Sequence, residues 1–151
     1  MDATPTRVLE MAANLDDVTG EVVGDAIEAL LAAGALDAWA APIVMKKGRP
    51  GVCLHLLCDP SDRDRIARRV IELTGSFGVR FAPAERLVVE RRIEPVDTPF
   101  GSVRVKLGDL EGQAVTAKVE FDDARRLAAE HGVAVRRVID AAHRALAEGS
   151  P

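Results

Sequence analysis

Residues 36–58 read LDAWAAPIVMKKGRPGVCLHLLC, and their reading as a strand, a tight turn and a return strand decides the fold. Trp39, Ile43 and Val44 mark an outgoing strand from Leu36 to Met45. Val52 to Cys58 comes back, with Val52, Leu54 and Leu56 on one face and Cys53, His55 and Leu57 on the other. Between them, KKGRPG places Lys46, Lys47 and Arg49 within four positions of a chain whose formal net charge is −4. Such crowding of cations suits an anion, or else a solvated hairpin whose lysines guard a sheet edge.

Working outward, each side of this hairpin adds one helix and one strand. Upstream, Arg7 to Asn14 reads as a strand, and LDDVTGE supplies helix-start chemistry through Asp16, Asp17 or Thr19 as cap. Val23, Ala26, Ile27, Leu30 and Leu31 then recur at helical steps until Gly34. Downstream, Asp59-Pro60-Ser61 opens a second helix, with Ser61 as the expected cap and Asp64 three positions on. Ile66, Ala67, Val70 and Leu73 form its apolar stripe, TGSFG ends it, and a strand from about Val79 reaches Ala82-Pro83. The order β-α-β-β-α-β over residues 7–83 is the split βαβ arrangement of ferredoxin-like α+β domains.

Residues 85–148 read as a second lobe, a β-hairpin region followed by a pair of C-terminal helices. Leu87 to Ile93 is a strand candidate and Asp97 to Gly101 a turn. Val103, Val105 and Leu107 alternate inward, and Val115, Ala117, Val119 and Phe121 alternate likewise. Asp122 or Asp123 is the expected cap of a short helix that Gly132 breaks, and Val135, Val138, Ile139, Ala142 and Leu146 stripe the last one.

Composition narrows the function classes. With 48% hydrophobic and 29% charged residues the 151-residue chain is globular, and no apolar run approaches the roughly 20 residues of a membrane span. No export signal is apparent at the start, so a cytoplasmic location is expected. A pI near 5.4 and 3% aromatic residues argue against a nucleic-acid surface, which needs a basic stripe or a stacking platform. Cys53, His55 and Cys58 invite a zinc reading, but strand periodicity puts Cys58 on the face opposite the other two. His131 and His143 have no partner near in sequence, and nothing matches a nucleophile elbow or a P-loop.

Strand order makes a sharper expectation. If the first and second strands run the same way, Asn14, Asp16 and Asp17 lie at the same end as the hairpin carrying Lys46, Lys47 and Arg49. The second helix ends there too, bringing Thr74, Ser76 and Arg80. Carboxylates for a hard divalent ion, cations for phosphate oxygens and small hydroxyl donors are the ingredients of a metal and polyphosphate site. Lys106, Lys118 and Glu120, which share a polar face in the second lobe with Arg104, are further candidates for an anion surface.

Five ordered blocks carry a family resemblance. Asn14-Leu15-Asp16-Asp17, Met45 to Gly51, Gly78-Val79-Arg80, Thr98 to Val103 with Lys106, and Lys118 to Asp123 together resemble the carboxy-terminal domain of the LarC family, nickel-insertion proteins of lactate racemase cofactor assembly. The resemblance implies CTP with manganese or magnesium as cofactor, and nickel inserted into a pyridinium bisthiocarboxylate mononucleotide. It also implies a separate amino-terminal domain as partner, and a homo-oligomer. By the same resemblance Asp16 and Asp17 would sit at the metal end, and Lys46, Lys47 and Arg49 on phosphates. Thr74, Ser76 and Arg80 would surround them, and Lys106, Lys118 and Glu120 are further candidates for binding. The chain departs from the family pattern at Ala12-Ala13, Gly75-Ser76 and Val119. The alternative is a nucleotide- or anion-binding regulatory module of the same fold, without chemistry.

Overall fold

The computed structural model describes residues 5 to 149. In chain order the elements are β1 (Thr6–Leu15), α1 (Gly20–Ala32), β2 (Asp37–Val44), β3 (Pro50–Cys58), α2 (Arg63–Thr74), β4 (Arg80–Arg86), β5 (Glu90–Thr98), β6 (Gly101–Leu110), β7 (Gln113–Val119), α3 (Phe121–Glu130) and α4 (Val135–Gly149). The fold is α+β, with ferredoxin-like strand order in its first part, as the sequence predicts. The chain divides into two compact units, Pro5–Arg86 and the part from Leu87 onward.

In the first unit a four-stranded sheet runs β2-β3-β1-β4 with every neighbouring pair antiparallel. Leu9, Met11, Ala13 and Leu15 of β1 and Leu54, Leu56 and Cys58 of β3 share one face. They pack there with Val23 and Leu30 of α1 and Ile66 and Val70 of α2. Each large side chain removed from water in this way contributes about 1.5–3 kcal/mol, so the two-residue period of the strands and the helical stripes lock one another in register. On the opposite face Trp39 stacks flat on His55, with ring centroids 5.3 Å apart, and His55 Nδ1 lies 3.1 Å from Glu10 Oε1. Cys58 belongs to the helix-side core and Cys53 lies beside Asn14 in the register, so the split of the two cysteines between faces stands.

Several local expectations are corrected. Ser61 does not cap the second helix: Asp59 Oδ1 accepts from both the N–H and the hydroxyl of Ser61, forming a 3₁₀ turn over Pro60–Asp62 before α2 begins at Arg63. Thr19, one of three candidates, is the cap of α1, its Oγ1 accepting from Val22 N–H at 3.4 Å. β4 runs on past Pro83 to Arg86, and β5 occupies Glu90–Thr98 rather than Leu87 to Ile93. Both strands contain a proline, and both are edge strands, where a missing N–H can face away from the ladder.

The second unit is a three-stranded sheet, β5-β6-β7, with α3 and α4 covering Val103, Val105 and Leu107. Phe121 opens α3 instead of extending β7, because the chain turns at Glu120, whose N–H bonds Arg104 O. Neither Asp122 nor Asp123 caps α3. Asp123 sits in its first turn and reaches back to β6, accepting from Arg104 Nε at 2.8 Å, Nη2 at 3.0 Å and the backbone N–H at 3.0 Å. These charge-assisted bonds hold its carboxyl down to about 2 from an ordinary 3.8. A carboxyl depressed in the folded state contributes stability that is complete above its unfolded value and is lost as pH falls toward the folded one. Wild-type protein is therefore expected to lose unfolding free energy between about pH 4 and pH 2. Asp123→Asn should flatten that segment of a denaturant-titrated pH profile while lowering stability at pH 7.

Candidate functional site at the end of the four-stranded sheet

The register sets the geometry. Leu15 pairs with Val52, Asn14 with Cys53 and Ala12 with Arg80, so the end of β1 lies between the start of β3 and the start of β4. The β2-β3 turn closes at that same end, where Val44 pairs with Pro50. Asn14, Asp16 and Asp17, the cationic hairpin, and the loop from Thr74 to Arg80 thus meet at one end of the sheet, as strand order predicts.

The hairpin is held by its own backbone. Met45 N–H donates to Arg49 O at 2.8 Å and Gly48 N–H to Met45 O at 3.1 Å. Lys47 and Gly48 both take left-handed conformations, φ 63° and 70°. For a lysine this costs on the order of 1 kcal/mol. Gly51 fits because a Cβ there would come within 2.5 Å of Leu15 O and 3.3 Å of Asp16 Cβ. Close approach of the hairpin to the end of β1 is what puts Arg49 beside Asp16.

Arg49 Nη2 lies 2.6 Å from Asp16 Oδ2. Asp16 is mostly buried, its side chain 16% exposed, whereas Arg49 is 51% exposed. Despite the short distance, Asp16 Oδ2 is enclosed and accepts no aligned hydrogen bond. The contact is therefore a close ion pair without an aligned hydrogen bond. Lys46 and Lys47 are exposed, and among the described residues neither has an ion-pair partner. On the other side of Asn14, Arg80 Nη2 donates to Asn14 Oδ1 at 3.0 Å and lies 3.4 Å from Cys53 Sγ.

The hydroxyls are less available than the sequence suggests. Thr74 is buried, and its Oγ1 donates to Val70 O at 2.7 Å and accepts from Ser76 N–H at 3.2 Å. Ser76 Oγ donates to Gly78 O at 2.8 Å. Both shape the loop after Gly75, a left-handed helix terminator at φ 69°. Phe77, in the same loop, is fully exposed, a feature that the sequence reading did not single out.

Lys106, Lys118 and Glu120 belong to the second unit. Lys106 and Lys118 are register partners across β6 and β7, and Lys106 Nζ lies 2.6 Å from Glu120 Oε1. The glutamate thereby offsets the repulsion of two directly opposed lysines.

The donor set limits which metal ion would fit. Among the described residues no group of three His, Cys, Asp or Glu side chains could hold a metal ion. Asp16, whose enclosed Oδ2 faces Arg49 at 2.6 Å, and neighbouring Asp17 supply only two carboxylates, so a hard cation held by them would bring phosphate and water ligands with it, as magnesium commonly does. Gly51→Ala should press a methyl group into Leu15 O and cost about 1–3 kcal/mol. A lowered midpoint of thermal unfolding, with weaker anion binding at the edge, would register it.

Comparisons with known proteins agree with one another. A family profile described as nickel insertion protein matches residues 2–139. A protein of Myxococcus xanthus (strain DK1622) named for nickel insertion is 46% identical over 134 residues, covering 89% of this chain and 34% of its own length. One from Methanothrix thermoacetophila is 42% identical over 134 residues, covering 88% and 34%. The chain thus spans about a third of these relatives. Among solved structures, LarC2, the C-terminal domain of a cyclometallase involved in the synthesis of the NPN cofactor of lactate racemase, superposes in its apo form with a TM-score of 0.90 at 36% identity, covering 95% of this chain and 99% of that one. A protein of Methanopyrus kandleri AV19 superposes with a TM-score of 0.66 at 35% identity, covering 92% and 88%. The chain belongs to the nickel insertion protein family and has the fold of the LarC C-terminal domain.

Proposed function

We propose that this chain is the nucleotide-binding part of a CTP-dependent cyclometallase that inserts nickel into a pyridinium bisthiocarboxylate mononucleotide. The observation that carries the reading is the meeting of the Arg49–Asp16 pair, the two unpaired lysines of the hairpin and the Arg80–Asn14 pair at one sheet end. Lys46, Lys47 and Arg49 hold the triphosphate, and Arg80 lies on its far side. Asp16 and Asp17 take the Mn²⁺ or Mg²⁺ that travels with it, which offsets charge on the phosphate oxygens. Thr74 and Ser76 act by shaping the loop before Arg80, since their hydroxyls are already engaged. Nickel is the inserted substrate. Its ligands are expected on a partner amino-terminal domain, because the described residues offer no three-ligand cluster. Lys106, Lys118 and Glu120 are proposed as an auxiliary anion surface, and a cytoplasmic homo-oligomer is the expected state. No helix among the described residues is long and apolar enough to cross a membrane.

The second reading, a nucleotide-binding regulatory module without chemistry, draws on Ala12-Ala13, which depart from the Glu-Thr of the family the chain resembles, Ala12 standing opposite Arg80 in the register. Calorimetry separates the two. CTP with Mn²⁺ should bind, ATP less tightly, and Lys46→Ala with Lys47→Ala should weaken binding by at least about 2–3 kcal/mol through two lost charge-assisted contacts. Heat of binding without CTP turnover, with the amino-terminal domain and precursor supplied, would select the module. Absence of heat with any nucleotide would remove both.

A further inference from the structure

The same sheet end holds a charge arrangement that constrains what it can accept. Asp16 is enclosed and already faces Arg49 at 2.6 Å, while its Oδ2 still lacks an aligned hydrogen bond. Arg49 is half exposed and sits on a turn whose other two cations are unpaired.

Three ligands would meet this pair differently. A free divalent cation must displace the guanidinium from Asp16 and strand it beside Lys46 and Lys47, and the protein offers too few other ligands to compensate. A bare polyphosphate draws Arg49 away but leaves the Asp16 carboxylate enclosed beside phosphate oxygens of like charge. A metal-chelated polyphosphate satisfies both partners at once, with Arg49 passing to a phosphate oxygen and the freed Asp16 oxygen facing the cation. The two halves of the ligand then strengthen each other's binding by the same factor, as linkage requires.

We infer that Arg49, through its pairing with Asp16, is the residue that makes this site select a metal-chelated polyphosphate over either free component. The inference rests on the nucleotide reading above and adds to it a specificity-determining role for one side chain. Arg49 acts here as a counter-ion that must be exchanged, which is a different role from adding one more positive charge to the turn.

The test titrates the protein with MnCl₂ alone, CTP alone and CTP with Mn²⁺. Free Mn²⁺ is read by electron paramagnetic resonance and nucleotide by calorimetry. Wild type should bind the chelate about tenfold or more tighter than CTP alone, and bind Mn²⁺ alone poorly. Arg49→Gln removes the charge from an exposed turn. It should tighten Mn²⁺ binding several-fold while weakening chelate binding, two changes of opposite sign that a merely structural arginine would not produce. Arg49→Lys, which keeps the charge but loses the planar fork, should fall between the two. Asp16→Asn should abolish the advantage of the chelate over CTP. Chelate binding by wild type, with Mn²⁺ affinity unchanged in both Arg49 variants, overturns the inference and leaves the nucleotide reading intact. Failure of wild type to bind nucleotide in any form overturns the two together.

Discussion

Antiparallel pairing of β1 with β3 on one side and β4 on the other is the constraint from which the candidate site follows. It aligns Leu15 with Val52 and Ala12 with Arg80, so residues separated by dozens of positions emerge at one sheet end. A shift of one residue would turn Met11, Ala13 and Leu15 out of the core and carry Asn14 into it, which burial of the helix-facing side forbids. The hydrophobic core therefore sets the polar geometry. Side chains that never touch a ligand decide where Asp16, Arg49 and Arg80 stand.

Rigid and adaptable parts are divided sensibly for a charged ligand. Gly51, the backbone bonds of the hairpin and the engaged hydroxyls of Thr74 and Ser76 fix the loops. The long cationic side chains on those loops remain exposed. A charged ligand bound there would need little backbone ordering, the cost falling on a few rotamers. The Asp16–Arg49 pair neutralises one carboxylate and one cation at this edge, while Lys46 and Lys47 stay open to solvent.

The second unit shows the same economy in a structural role. Arg104 and Asp123 tie the first turn of α3 to β6, and Glu120 neutralises one of two facing lysines. Charged residues that look alike in sequence thus divide by geometry. Some are consumed in holding helices to strands, and others, such as Lys46 and Lys47, are left facing solvent.

Read alone, the sequence determined the element types, the ferredoxin-like order, both apolar stripes and the meeting of three polar segments, because these follow from periods of 2 and 3.6 and from strand direction. Capping details and strand ends were less legible. Ser61, Phe121, Pro83 and Pro95 behave as they do because of a turn or an edge position that only neighbouring strands define. Tertiary structure alone decided which groups are free. Thr74 and Ser76 spend their hydroxyls within a loop, and Asp16 is paired with Arg49 instead of capping α1. The reason is that hydrogen bonds and ion pairs depend on ångström distances between segments, whereas sequence spacing records only which side of an element a residue occupies.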